Sequence, residues 1–185
     1  ALPHLDVGVC DDDGERLPAG QMGEIVVGAT RTGPWAGEYT PMLGYWRDDA
    51  LEPFEGDVLN TGDIGLVDPD GNLFVRDRKK LLILRGGANV YPAEVERVIE
   101  RIPGVRASAV LGLPDQRLGQ RVVAAIEVDP GAAVTPEDVT AHCGAALARY
   151  KIPEQVVVVD AFPRNAMGKI QRDPLAGLFQ PPGPS

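Results

Sequence analysis

Cysteine and long apolar runs are scarce in this sequence, and each shortage narrows what the protein can be. There are only two cysteines in 185 residues, Cys10 and Cys143, and they form neither a CxxC motif nor a metal-binding pattern. There is no secretory signal and no apolar run long enough to cross a membrane. We therefore expect a reduced, cytoplasmic protein without a metal centre or a membrane span.

Basic charge is also in short supply. The chain has 18 Lys and Arg residues against 27 Asp and Glu residues, which gives a formal net charge of −9. This imbalance argues against nucleic acid or an anionic membrane as a general partner, although a local basic patch could still bind a phosphate-bearing ligand. The hydrophobic fraction of 44% and the charged fraction of 24% are ordinary for a globular protein.

The first part of the chain is predicted to be rich in short strands and turns. Strands are expected at Leu5–Val9 and Gly23–Gly28. A hairpin is expected farther on, with strands at Val58–Gly65 and Leu73–Val75 around the turn Asp68–Asn72. We interpret this part as a piece of a small barrel or sandwich, with a polar connector leading up to Phe54.

The second part has a different pattern, with helices between strands. Pro92 opens one helix, and Thr135 is the expected N-cap of another that runs to about Arg149. Three strands and a last short helix complete this part, at Val105–Leu113, Gln120–Val128, Gln155–Val159 and Asp173–Phe179. The fold class is predicted to be α+β, with helices packed on a three-stranded sheet. The tail 181–185 is expected to be disordered.

A sixteen-residue stretch, Asp77–Pro92, separates the two parts. It contains four consecutive charged residues, a short apolar run and the pair Gly86-Gly87. Functional loops often have this composition, so we interpret the stretch as a hinge with a mobile loop attached.

The first two candidate site residues along the chain are Asp63 and Arg78. Asp63, in the sequence Thr61-Gly62-Asp63, could accept hydrogen bonds from both hydroxyls of a ribose, or it could simply cap a turn. Arg78 offers a planar fork suited to phosphate or ribose oxygens. Its alternative role is a surface ion pair, which contributes roughly 0–1 kcal/mol.

The remaining candidates lie farther along the chain. Gly86 and Gly87 allow the backbone to approach a ligand closely or to swing, although glycines are also common in turns. Lys169 follows Gly168 in a loop and could reach a carboxylate and a phosphate together. Most lysines near a C-terminus are simply solvated, and that alternative stays open for Lys169.

Six short motifs occur in the order and spacing of one enzyme family. They are GEIVVG at 23–28, GYW at 44–46, TGD at 61–63, DRKK at 77–80, GGANVYPAEVE at 86–96 and PRNAMGKI at 163–170. With these motifs the chain resembles the C-terminal third of the adenylate-forming enzymes, which include acyl- and aryl-CoA synthetases, peptide-synthetase adenylation domains and firefly luciferase. The resemblance extends over about residues 5 to 179. The stretch Asn89–Glu96 favours the acyl- or aryl-CoA synthetase branch.

The resemblance implies a two-step reaction. A carboxylic acid, fatty or aryl, reacts with ATP to give an acyl-adenylate, and coenzyme A then displaces AMP. Asp63 would hold the ribose hydroxyls and Arg78 would contact the nucleotide on the same side. Lys169 would bridge the carboxylate and the α-phosphate during adenylation, where a fixed cation stabilises developing charge.

The resemblance also implies two domains that change their arrangement between the half-reactions. Residues 1–79 would be the end of the large domain, and residues 80–185 would be a mobile C-terminal domain. Lys80 would be the hinge, and Gly86 and Gly87 would line the coenzyme A channel. Residues 30–42 form an insertion relative to the family pattern, and no role is assigned to it.

Two family motifs are absent from the sequence: the Ser/Thr/Gly-rich phosphate loop and the aromatic-Gly-x-Thr-Glu segment. We therefore expect a fragment that is inactive alone and whose partner is the upstream large domain. ATP, Mg²⁺ and coenzyme A would belong to the complete enzyme, and none would bind tightly to this chain. Two alternatives stay open: a non-catalytic regulatory or carrier-protein-binding module, and an acyl-AMP ligase.

Overall fold

The computed structural model describes residues 2–179. The chain divides into two compact units, the first ending at Lys80 and the second beginning at Leu81. The predicted boundary lay between residues 79 and 80. The tail 181–185, for which disorder was predicted, lies outside the described residues.

The first unit is built on a four-stranded antiparallel sheet. The strands of this unit are, in chain order, β1 (Leu5–Cys10), β2 (Gly23–Ala29), β3 (Gly44–Arg47), β4 (Ala50–Pro53), β5 (Val58–Val67) and β6 (Leu73–Arg78). The sheet order is β1-β2-β5-β6, while β3 and β4 form a separate hairpin. The apolar residues Val9, Ile25 and Ile64, one from each of three neighbouring strands, are buried. Strand β2 is central, so it borders both the edge strand β1 and the hairpin β5–β6.

The β5–β6 hairpin has the turn that its sequence predicted. The Asp68 carboxylate accepts hydrogen bonds from the backbone N–H of Asn72 at 2.8 Å and from its Nδ2 at 2.9 Å, and Gly71 has a φ of 83°. The second hairpin was not predicted, because residues 47–54 were interpreted as a polar connector. Asp48 and Asp49 form its turn with φ of 48° and 62°, a conformation that Asp tolerates better than most side chains.

The second unit contains a five-stranded sheet and two α-helices. Its elements are β7 (Ile83–Arg85), β8 (Ala88–Val90), α1 (Pro92–Ile99), β9 (Val105–Asp115), β10 (Gly119–Val128), α2 (Pro136–Ala146) and β11 (Gln155–Val159). The long strand β10 pairs with β9 and β7 in antiparallel fashion and with β11 in parallel. The prediction of a three-stranded sheet was wrong, because β7 and β8 also join it. Each has only three residues, which is too short to show a strand period.

The helices lie on one face of this sheet. On α1, Val95, Val98 and Ile99 pack with Ile83 and Ile126 in one buried cluster. Helix α2 begins at a complete capping box, in which Thr135 and Asp138 bond each other's backbone N–H groups. It ends at Ala146, earlier than predicted, and residues Arg149–Lys151 form a separate 3₁₀ turn.

A second apolar cluster covers the other face of the sheet. Val123 and Ala125 of β10 pack there with Phe162, Leu175 and Phe179 from the end of the described chain. The predicted last helix is a 3₁₀ helix, Asp173–Leu178. Because β10 is buried on both faces, it is the strand around which this unit is organised. Among the described residues no helix is long and apolar enough to cross a membrane.

Candidate functional site

The Thr61-Gly62-Asp63 motif lies within β5, where the strand departs from regular pairing. Gly62 has a φ of 71°, which favours glycine, and the register between β2 and β5 shifts nearby. The Thr61 hydroxyl donates to the Ile25 carbonyl at 2.8 Å and accepts from the Asp63 backbone N–H at 3.1 Å. Thr61 therefore fixes the backbone from which the Asp63 carboxylate projects.

Asp63 and Arg78 are brought together by the β5–β6 pairing, in which they are direct partners. Arg78 Nε lies 3.0 Å from Asp63 Oδ1, and Arg78 Nη1 donates to the Thr61 carbonyl at 3.2 Å. The Asp63 side chain keeps 29% of its surface exposed and that of Arg78 keeps 53%. A carboxylate held in place but still reachable could accept hydrogen bonds from vicinal hydroxyls.

Two residues that sequence reasoning did not single out connect this motif to the start of the hinge. The nearly buried carboxylate of Glu24 accepts from the Gly62 backbone N–H at 3.1 Å through Oε1 and from Lys79 Nζ at 2.9 Å through Oε2. Lys79 Nζ also lies 2.9 Å from Asp12 Oδ1. Hydrogen bonds to Asp12 and Glu24 raise the pKa of Lys79 above its ordinary value, and Lys79 lowers the pKa of Asp12. The signal available in the sequence was a glutamate at the second position of the otherwise apolar and glycine-containing strand GEIVVG.

A cleft of about 1030 Å³ in the first unit lies next to these charged side chains. Glu24, Lys79 and Asp12 line it, as do Arg31 and Tyr39 from the 30–42 insertion. Asp63 and Arg78 are not among its lining residues. The insertion therefore contributes to the wall of a cleft rather than to the predicted nucleotide-binding pair.

The predicted hinge residue, Lys80, lies in a 3₁₀ turn formed by Lys79–Leu81. Its side chain is exposed, and within residues 2–179 it forms no ion pair. The two neighbouring lysines therefore differ: Lys79 is tied to the first unit by two carboxylates, and Lys80 is not.

Gly86 and Gly87 form the two-residue turn of the β7–β8 hairpin. Their φ values are 57° and 81°, the positive-φ combination of a tight hairpin turn. The Gly86 backbone N–H donates to the Leu118 carbonyl at 2.7 Å. The preceding Arg85 pairs with Glu154 and donates to the Tyr150 carbonyl at 2.9 Å. The double glycine is thus a tight turn whose backbone is hydrogen-bonded to Leu118. The mobility that the sequence predicts for this loop stays a prediction.

Lys169 lies at the end of a small hairpin that follows Phe162. Asn165 Oδ1 accepts from the backbone N–H groups of Met167 and Lys169, both at 3.0 Å, and the Asn165 N–H donates to the Lys169 carbonyl at 2.9 Å. Gly168 has a φ of 78°. The Lys169 side chain is exposed and has no ion pair in the described part of the chain. The hairpin thus orders the backbone of a lysine whose ammonium is left open.

Comparison with known proteins identifies the family. Residues 94–169 match the family model described as the AMP-binding enzyme C-terminal domain. The chain is 41% identical over 172 residues to a long-chain-fatty-acid–CoA ligase, FadD13 of Mycobacterium tuberculosis, covering 92% of this chain and 32% of that protein. It is 39% identical over 179 residues to a fatty acid–[acyl-carrier-protein] ligase, ScoC of Streptomyces coeruleorubidus, covering 96% and 33%. Residues 94–169 therefore belong to the AMP-binding enzyme C-terminal domain family, and the chain as a whole is similar to one third of these ligases.

Solved structures agree with this assignment. The o-succinylbenzoate CoA synthetase MenE of Bacillus subtilis, in complex with its acyl-adenylate, superposes with a TM-score of 0.78 at 36% identity. The match covers 94% of this chain and 34% of the synthetase. The chain thus spans about a third of the length of the adenylate-forming enzymes that it matches.

The candidate residues are distributed over both units of the chain. The first unit brings together Asp63 and Arg78, and the second carries Gly86, Gly87 and Lys169. Within residues 2–179 no group of three or more His, Cys, Asp or Glu side chains could hold a metal ion.

Proposed function

We propose that this chain supplies the nucleotide-binding carboxylate and the adenylation lysine of an ATP-dependent carboxylate–CoA ligase. Such an enzyme joins a fatty or aryl acid to AMP with release of pyrophosphate, and then transfers the acyl group to coenzyme A. One observation carries the proposal: Lys169 presents an exposed ammonium, without an ion pair within residues 2–179, from an ordered hairpin at the end of the region that matches the family. A cation presented from an ordered backbone can stabilise the charge that develops as a carboxylate attacks the α-phosphate.

The Asp63–Arg78 pair supports the nucleotide part of the proposal. Asp63 would accept hydrogen bonds from the ribose hydroxyls, and Arg78 would hold the carboxylate in position and contact the nucleotide. Both side chains are exposed enough to do so, and their backbones are fixed by strand pairing and by Thr61. ATP and AMP therefore fit the residues present as hydrogen-bonding partners.

The remaining roles concern the change of arrangement between half-reactions. We propose that residues 1–79 act with the large domain, that residues 80–185 act as the mobile domain, and that Lys80 is the pivot. Lys80 is free of the carboxylates that hold Lys79, which suits a position where backbone dihedrals change. Gly86 and Gly87 would line the coenzyme A channel, where the absence of side chains leaves room for a narrow pantetheine arm.

The large domain would be the partner of this chain. It would supply the acyl pocket, the phosphate-binding residues and the residues that hold Mg²⁺. We propose that the 185-residue chain does not form adenylate alone. The test is ATP–pyrophosphate exchange with the chain alone, and measurable exchange would contradict this part of the proposal.

A carrier protein is the second candidate acceptor, since ScoC is a fatty acid–[acyl-carrier-protein] ligase with 39% identity. The two acceptors share the pantetheine thiol and differ in what surrounds it. Initial rates with coenzyme A and with a phosphopantetheinylated carrier protein decide between them, and a rate seen only with the carrier protein would replace the CoA assignment.

The main experiment uses a hybrid ligase, in which this chain replaces the matching third of FadD13, its 41% identical relative. We expect the hybrid to release pyrophosphate and AMP and to form acyl-CoA from a long-chain acid. The FadD13 enzyme is the positive control, and circular dichroism verifies that the hybrid is folded. A folded hybrid that catalyses neither half-reaction would overturn the proposal.

A further inference from the structure

A buried carboxylate lies behind the hairpin that carries Lys169. Glu127 is the second-last residue of β10, and only 6% of its side chain is exposed. An ionised carboxylate at such a depth is stable only when its oxygens are paired. Glu127 pairs with Arg106, accepts from the Phe162 backbone N–H at 3.2 Å, and lies 3.6 Å from Arg164 Nη2.

Arg164 connects this carboxylate to the residue that precedes Lys169. Its second terminal nitrogen, Nη1, donates to the Gly168 carbonyl at 3.0 Å. Arg164 also bridges to Ile170 across the hairpin, and the flanking Gln171 N–H donates to the Pro163 carbonyl at 2.8 Å. One guanidinium thus contacts the central strand of the sheet on one side and the turn of the hairpin on the other.

We infer that Glu127, acting through Arg164, positions the backbone of Lys169. Both are positioning residues, and the inference rests on the proposed function of Lys169. Only a forked side chain can make the two contacts, because its nitrogens point in fixed and different directions. This role explains why a charged residue, Glu127, is buried in a part of β10 that otherwise packs against apolar side chains.

A simpler role for Glu127 would be to neutralise Arg106 and satisfy the Phe162 N–H. Arg106 separates the two roles, because it pairs with the same carboxylate but has no hydrogen bond to the 164–170 hairpin. The side chains of Arg106 and Arg164 are also similarly exposed, at 49% and 42%. Arg106→Met is therefore the matched control for Arg164→Met.

The first test is amide hydrogen exchange by NMR on the 185-residue chain. With Arg164→Met, exchange at Asn165 and Lys169 should accelerate about tenfold, the loss expected for one hydrogen bond from a charged donor. Arg106→Met should leave both amides within twofold of the unaltered chain. Equal exchange in the two variants, or no acceleration in Arg164→Met, would overturn the inference. Glu127→Gln should behave as Arg164→Met does, and if it does not fold, the two arginine variants still decide.

The second test is adenylation by the hybrid ligase. Arg164→Met should lower kcat about tenfold with KM for ATP within twofold, and should add no further loss in a Lys169→Ala background. General destabilisation would reduce the rate in both backgrounds and would overturn the inference. If Lys169→Ala leaves adenylation unchanged, the proposed function fails, while the exchange experiment still decides whether Arg164 orders the hairpin.

Discussion

Asp63 and Arg78 are direct cross-strand partners, and Arg78 Nε lies 3.0 Å from Asp63 Oδ1. Fifteen positions separate them in the sequence, but the β5–β6 turn at Asp68–Asn72 places them side by side. The pair is partly exposed, so its value for stability is small, about 0–1 kcal/mol. The proposed binding role of the pair can therefore be tested with little effect on folding, and this leads to the first prediction.

Asp63→Asn in the hybrid ligase should raise KM for ATP about tenfold or more, since an amide accepts hydrogen bonds less strongly than a carboxylate. The matched control is Asp70→Asn, which removes one negative charge from the same hairpin at an exposed turn position. We expect KM for ATP of the Asp70→Asn control to stay within twofold of the unaltered hybrid. Steady-state kinetics with varied ATP measures both. A similar rise in the two variants would indicate a general charge effect and would count against the ribose role of Asp63.

Lys169→Ala should lower the adenylation rate by about 10²–10³-fold, the usual consequence of removing one electrostatic contact to a transition state. Thioester formation from a supplied acyl-adenylate should change by no more than about threefold. Met167→Ala is the control, because Met167 lies in the same hairpin with 79% of its surface exposed. Pyrophosphate exchange and acyl-CoA formation are measured separately, and equal losses in both would remove Lys169 from adenylation.

Gly87→Ala should destabilise the second unit by about 1 kcal/mol, because a φ of 81° is unfavourable for a residue with a Cβ. In the hybrid ligase it should also slow thioester formation more than adenylation, if the turn lines the coenzyme A channel. Gly177→Ala is the control, since Gly177 has no positive φ and open space around it. Urea unfolding and the two half-reactions test this, and a slower adenylation step alone would contradict the channel assignment.

Lys79→Met should destabilise the first unit by about 1–2 kcal/mol, since it leaves the nearly buried Glu24 without its cation. The double variant Lys79→Met, Glu24→Gln should lose less unfolding free energy than the sum of the losses in the two single variants. Tryptophan fluorescence reports on this unit alone, because Trp35 and Trp46 both lie in it. Arg47→Met breaks a well-exposed pair and should change the unfolding free energy by less than about 0.5 kcal/mol. Strict additivity would show that Glu24 and Lys79 are not coupled.

Cys143 should make the second unit less stable at alkaline pH. Burial raises the pKa of its thiol from 9.0 to about 11, so the folded state holds a proton that the unfolded chain releases. The unfolding free energy therefore keeps its full value below pH 9. It falls as pH rises towards about 11, by about 3 kcal/mol in total. Helical circular dichroism measures this unit, because α1 and α2 both lie in it. Over the same pH range Cys143→Ala should lose less unfolding free energy than the unaltered chain. Parallel curves of unfolding free energy against pH would show that Cys143 is not the cause of the alkaline loss.

Local sequence signals were reliable where one short stretch determines the structure. The turn residues Asp68–Asn72, the capping box at Thr135 and the proline that opens α1 all produced the elements that they predicted. The same signals failed for β4 and β8, which have four and three residues. Strands of that length form because a partner is available, and the partner is not visible in the local pattern.

The sequence by itself determined the family, the mixed strand and helix content, and the identity of the candidate residues, because these depend on residue types in a fixed order. Only the tertiary structure decided which residues touch. It joined Glu24 to Gly62 and Lys79, and it placed the buried Glu127 behind the hairpin that carries Lys169. Such contacts link residues 37 to 55 positions apart in the sequence. They depend on strand pairing and on the need of a buried charge for a partner, and neither can be deduced from the neighbours of a residue along the chain.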